Sequence, residues 1–123
     1  MALRGTGADK NLFLRTSREI EYVKQHGRRV SNTVFNMLIC KIGDGNTRVA
    51  IIVGRKFGTA VRRNRAKRLF RELVRHIHTE LVSGHLLVVF PKRDALTLPF
   101  KALAQTWRFT LRRHGIIIHG ECC

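Results

Sequence analysis

Acidic side chains are few in this sequence. Its 123 residues carry 8 Asp plus Glu against 24 Lys plus Arg, a formal net charge of +16. A surface so one-signed repels itself until an anionic partner covers it, so a polyanion or an anionic membrane is the expected partner class. The acids (Asp9, Glu19, Glu21, Asp44, Glu72, Glu80, Asp94 and Glu121) are scattered, with no pair at a suggestive spacing. That pattern excludes the carboxylate cluster a two-metal protein nuclease needs. Cysteine is scarcer still, with three residues. Cys40 stands alone in an apolar stretch, Cys122 and Cys123 are adjacent, and no C-x-x-C spacing occurs. Neither a disulfide framework nor a zinc site follows, and a reducing cytoplasm is the expected compartment. Long apolar runs are missing too. Nothing approaches the ~18 consecutive residues of a membrane span, and the first residues hold no signal-like apolar run. His76 and His78 diverge on a helical period, no Ser/His/Asp or Cys/His pattern presents itself, and Gly54 to Gly58 lacks the Gly-Lys-Ser/Thr of a phosphate-binding loop. Catalytic and metal-ligating residues are therefore expected to be none in the protein itself, with no cofactor bound by the protein alone.

What is present suffices for a core: 44% of residues are hydrophobic, and the length suits one domain. Residues 1–12 read as a flexible arm, 13–115 as a single domain and 116–123 as a tail. Thr16-Ser17-Arg18-Glu19 makes a capping box for a first helix running to about His26, with Gly27 expected as its left-handed terminator. Residues 30–41 alternate, with Phe35, Met37 and Ile39 on one face and Asn36, Leu38 and Cys40 on the other. Residues 47–53 place Val49, Ile51 and Val53 on a core face and Arg48, Ala50 and Ile52 opposite. A turn cluster at residues 43–46 between them predicts an antiparallel hairpin. After a glycine-bounded loop, Ala66, Leu69, Phe70, Leu73, Val74, Ile77 and Leu81 recur at helical spacing, predicting a long helix from about Ala60 to Val82. Leu86 to Phe90 reads as a buried strand closed by Pro91. Phe100, Leu103, Trp107 and Leu111 form the stripe of a last helix ended by Gly115. The expected fold class is α+β: one small sheet packed on helices, α-β-β-(β)-α-β-α, with the sheet's other face partly open.

The charge is concentrated in the long helix and the loop before it. Between Arg55 and Arg75 stand nine Lys or Arg and one acid, Glu72. At about 100° per residue, Asn64, Arg68, Arg71 and Arg75 share a stripe opposite Phe70 and Leu73. Arg65 and Lys67 flank it, and Arg62 and Arg63 lie at the helix start, where free amides and the positive dipole end favour phosphate oxygens. An ordinary solvated face mixes signs in i, i+4 pairs. Here acids are almost absent and arginine, whose planar fork suits bidentate phosphate contact, dominates. Nucleic-acid binding is the expected function. A ribosomal or other structural RNA-binding protein would share this composition. A DNA reader is less well supported, since no helix-turn-helix pair precedes the helix. A membrane-surface helix is weaker still, because its apolar face is consumed by the core.

The run from Arg55 to Glu72, RKFGTAVRRNRAKRLFRE, resembles the "RNR" segment of the bacterial ribonuclease P protein component. The resemblance extends from about Leu14 to Gly115, including His26-Gly27, the Arg48–Val53 strand, LLVVFPK and the closing Trp/Leu helix. It implies a protein subunit of a ribonucleoprotein endoribonuclease that removes the 5′ leader of precursor tRNA. The catalytic RNA and its Mg²⁺ would do the chemistry, and the protein would assist substrate binding. The implied fold includes a left-handed β-α-β crossover, the hand general topology rules disfavour. By this resemblance Arg55, Lys56, Arg62, Arg63, Asn64, Arg65, Lys67, Arg68 and Arg71 meet the catalytic RNA. The same resemblance makes a cleft of Ile20, Lys24, Asn36, Leu38, Arg48 and Ala50 the site that receives the leader. The partners implied are ribonuclease P RNA and precursor tRNA, with neither DNA nor a membrane. Many members carry aromatic residues where this chain has Ile20, Lys24 and Leu38, so its cleft is expected to rely more on charge and apolar contact than on stacking.

Overall fold

The computed structural model describes Phe13, residues 17–43 and residues 45–117. The arm at 1–12, Thr16 of the capping box and residues 118–123 lie outside the described residues. The elements are α1 (Ser17–His26), β1 (Arg28–Ser31), β2 (Phe35–Lys41), β3 (Arg48–Ile51), α2 (Ala60–Ile77), β4 (His85–Pro91) and α3 (Phe100–Arg113). They make an α+β fold in the order the sequence implies. Short 3₁₀ turns at Arg55–Phe57 and His78–Glu80 flank α2, and a longer one covers Arg93–Thr97. The last regular turn of α2 therefore ends at Ile77, earlier than the apolar period alone suggests.

The expected hairpin between residues 30–41 and 47–53 does not form. The sheet order is β1-β2-β4-β3. β1 and β2 are the hairpin, antiparallel, with Val30 opposite Met37. β4 lies antiparallel to β2 and parallel to β3, so α2 is the crossover between parallel neighbours. Two physical reasons account for the difference. The single run 30–41 is broken at Asn32, whose Oδ1 accepts from the amides of Val34 (2.8 Å) and Phe35 (2.9 Å), a side-chain-made turn. And β4, apolar on both faces at Leu86 to Val89, is stable only in the interior of the sheet, so it displaces β3 from the side of β2. Thr47 secures the new edge: its hydroxyl donates to Val82 O and accepts from His85 N (3.1 Å), joining the starts of β3 and β4.

Strand alternation assigns the two faces as the pattern predicts. Phe35, Met37, Ile39, Val49, Leu87 and Val89 meet Phe70, Leu73, Val74 and Ile77 of α2 and Leu103, Trp107 and Leu111 of α3 in the main core. At its centre Phe35, Phe70 and Trp107 meet edge to face, with ring centroids 5.3–5.9 Å apart. Ile116 and Ile117, which the pattern leaves to the tail, are buried in the same core, and Ile117 bridges to Leu81. The opposite face carries a smaller core in which α1 lays Val23 and Ile20 on Cys40, Ala50, Leu86 and Val88. Burial there pushes the Cys40 thiol pKa up.

The junction of α1 with the sheet corrects one expectation. Gly27 is not left-handed. A Cβ on it would lie 2.6 Å from Val23 O and 3.2 Å from Leu38 Cβ. The residue is glycine because the chain leaves α1 in contact with both its own last turn and β2.

Candidate nucleic-acid interface

Two surfaces carry the residues singled out above. The first is α2 and the loop that leads into it. Phe57 is buried and anchors the loop, and Gly58 turns it at φ +152°. Arg63 Nη1 donates to Gly58 O (2.8 Å), and Arg93 Nη2 donates to Lys56 O (3.0 Å). Thr59 caps the helix, its Oγ1 accepting from Arg62 N (3.3 Å). The loop is thus fixed by its own carbonyls, while the side chains of Arg55 and Lys56 stay exposed. Along α2, Arg62, Asn64, Arg65, Arg68, Arg71 and Arg75 are exposed, and Arg63 and Lys67 are half-buried at the edges. Glu72, the one acid in the helix, is engaged by Arg75 (3.7 Å) and by His76, whose Nε2 donates at 3.1 Å. Among the described residues Arg62, Arg65, Arg68 and Arg71 have no carboxylate partner. The face is a fixed row of uncompensated guanidinium groups on a helix whose other side is held in the core.

The second surface is the part of the sheet that α1 does not cover. Strand register arranges it in rows: Arg29–Leu38–Val88–Ala50 and, one step on, Ser31–Asn36–Phe90. α1 lies over the Val88–Ala50 end of the first row. What remains is a cleft of about 420 Å³ lined by Lys24, Arg29, Asn36, Met37, Leu38 and Phe90. Three of the six expected cleft residues, Lys24, Asn36 and Leu38, come together there. The others stand apart from it. Ile20 and Ala50 belong to the small core beneath the helix, Ala50 being only 5% exposed. Arg48 donates to Glu19 Oε2 at 2.6 Å and so ties β3 to the start of α1. Glu19, read from the sequence as half of a capping box, thus bridges two elements.

Arg29 and Phe90 complete the cleft and were not legible as its members. Phe90 reads as the end of an apolar strand, and only the pairing of β4 with β2, which sets it opposite Asn36, brings it to this face. It gives the cleft an aromatic side chain after all. Asn36 Oδ1 is buried beside it without a hydrogen-bond partner among the described residues. Phe90 also borders a neighbouring depression of about 430 Å³, lined by Lys56, Phe57, Lys92 and Arg93 among others. Phe90 is thus the residue shared by the cleft and the depression beside the basic loop.

Among the described residues no group of three or more His, Cys, Asp or Glu is placed to hold a metal ion. No described helix is long and apolar enough to cross a membrane.

Residues 9–115 match the family described as Ribonuclease P. The chain is 37% identical over 95 residues to the ribonuclease P protein component of Finegoldia magna, covering 77% of this chain and 83% of that one. It is 36% identical over 105 residues to that of Symbiobacterium thermophilum, covering 85% and 91%. Among solved structures, the RNase P protein from Thermotoga maritima superposes with a TM-score of 0.73 at 30% identity, over 82% of this chain and 96% of that one. The RNase P protein from Staphylococcus aureus has the same fold, with a TM-score of 0.71 at 20% identity over 88% and 92%.

Proposed function

This chain belongs to the ribonuclease P protein family, the protein subunits of a ribonucleoprotein endoribonuclease whose RNA does the chemistry, and we propose how its two surfaces divide the work. The α2 face, with Arg55, Lys56, Arg62, Arg63, Asn64, Arg65, Lys67, Arg68 and Arg71, docks on the catalytic RNA. The cleft of Lys24, Arg29, Asn36, Leu38 and Phe90 holds the single-stranded 5′ leader of precursor tRNA. The observation that carries this reading is the uncompensated arginine row on α2, with Phe90 shared between the cleft and the depression that Lys56 lines.

Phosphate contacts position an RNA without reading its sequence, and a fixed row of forked cations does that well. The cleft suits what a single strand offers and a duplex hides: a base face to stack on Phe90. Mg²⁺ supplies charge neutralisation and an activated water in phosphodiester hydrolysis. The described residues of this chain offer no ligand set for it, so we assign the ion to the RNA. The protein's part is to hold substrate and RNA together, and we assign it to the cytoplasm.

The double variant Arg65→Ala with Arg68→Ala tests the docking face. Binding to ribonuclease P RNA should weaken, and the log–log salt slope should become shallower by roughly 0.7–0.9 for each phosphate that is no longer neutralised. Thermal unfolding should be unchanged, because neither side chain is buried. Unchanged affinity and slope, or loss of the fold, would remove the assignment.

A further inference from the structure

The cleft ends at β1, the edge strand of the sheet, and beyond that edge lies a second depression of about 550 Å³ between β1 and α3. Arg29 lines both. Phe109 stands in this second depression with 60% of its surface exposed, on a helix whose Leu103, Trp107 and Leu111 are fully buried. Arg113 lies one turn further along α3, and Ser31, Asn32 and Thr106 supply polar groups between them. None of the lining residues is acidic. An exposed aromatic ring in a depression that two arginines also line, with no acid among the lining residues, offers stacking to a base and charge to its phosphates. His114 also lines the depression. Its pKa is held below the ordinary imidazole range by burial and by the charges of Arg28 and Arg113. Arg28 Nη1 donates to its Nδ1 at 3.1 Å.

We propose that the upstream part of the 5′ leader leaves the cleft at Arg29, crosses the β1 edge and stacks a base on Phe109 between Arg29 and Arg113. This rests on the reading of the cleft as the leader site and extends it to a second, distal subsite on the opposite side of the sheet. A duplex or a protein strand is less well matched: the first presents no free base face, and the second would meet uncompensated positive charge.

The test uses the holoenzyme, assembled from ribonuclease P RNA and the full-length protein, with precursor tRNAs whose leaders lengthen one nucleotide at a time. Affinity with the wild-type protein should rise in two steps, the first as the cleft fills and the second as the leader reaches Phe109. Phe109→Ala should abolish the second step only, lowering the ratio of long- to short-leader affinity about fivefold or more, the change that ~1 kcal/mol of stacking produces. Phe109→Trp should retain that step. A first step without a second, or a second step unaffected by Phe109→Ala, overturns the distal subsite and leaves the cleft reading standing. Absence of the first step overturns both. If Phe109→Ala instead converts a self-associated free protein to monomer with leader dependence intact, the patch is a contact between copies and the proposal fails.

Discussion

Gly27 is the clearest single-residue constraint. It lies so close to Val23 O and Leu38 that one added methyl group must displace backbone. Gly27→Ala should therefore destabilise the fold by ~1–3 kcal/mol, the usual cost of overpacking, and loosen α1 over the cleft. Thermal unfolding checks the first effect, and an unchanged midpoint would contradict the geometry. Phe90 is a residue of another kind, half-buried and facing the cleft. Phe90→Leu keeps apolar bulk but removes the ring face. It should weaken binding of leader-bearing precursor by ~1–3 kcal/mol while binding of leaderless tRNA is unchanged. Equal losses on both substrates would place Phe90 outside the leader path. The difference between these two residues also shows what a sequence discloses. Arg65, Arg68 and Arg71 are legible because helical period and charge are local properties. Phe90, Arg29 and the Glu19–Arg48 pair are not, because each gains its role from a partner many residues away in the chain.

Among the elements, α2 has two independent jobs on opposite sides, and substitutions should separate them. Leu73 is buried against the sheet, so Leu73→Ala should cost ~2–5 kcal/mol of stability, the reverse of the surface arginines, whose loss costs RNA affinity. The 3₁₀ turn after α2 is tied to α3 by Glu80 and Arg108, whose Nη1 and Nη2 donate to the two carboxylate oxygens at 3.0 and 2.9 Å. The Arg108 hydrogen bonds hold the Glu80 carboxyl below the usual carboxylate range. A lowered folded-state pKa means the unfolded chain binds the proton more readily. The pair's contribution is therefore present above the ordinary carboxylate pKa and fades as pH falls through the folded value. Glu80→Gln should cost at most ~1 kcal/mol at neutral pH, since both side chains are about one-third exposed, and should flatten the acid limb of the stability curve. An acid limb identical to wild type would contradict the pair's contribution. The helices and the facing of Phe35, Met37, Ile39 and Val49 were legible from period and alternation. β1 was not separated from β2, and Val53, expected on the core face, lies beyond the end of β3 and outside the main core. Strand order was not legible either. The preference of β4 for the sheet interior and the Asn32 turn decide it, and neither is visible as a pattern in the residues between β2 and β3.

For the whole molecule, the +16 charge and membership of a family whose RNA does the chemistry point to a protein that works by binding RNA. Affinity for ribonuclease P RNA should fall steeply with salt, with a log–log slope of roughly −0.7 to −0.9 per neutralised phosphate, and a nearly flat curve would remove the phosphate-clamp account. The core permits this charge because α2 and α3 bury their apolar stripes on one face of the sheet and α1 covers only half of the other. The uncovered half is the cleft. The most direct test is cleavage of precursor tRNA by a bacterial ribonuclease P RNA at limiting Mg²⁺, with and without this protein, using normal and shortened leaders. The account predicts strong stimulation that shrinks as the leader is shortened, and no cleavage by the protein alone. Stimulation independent of leader length, or none at all, would contradict it.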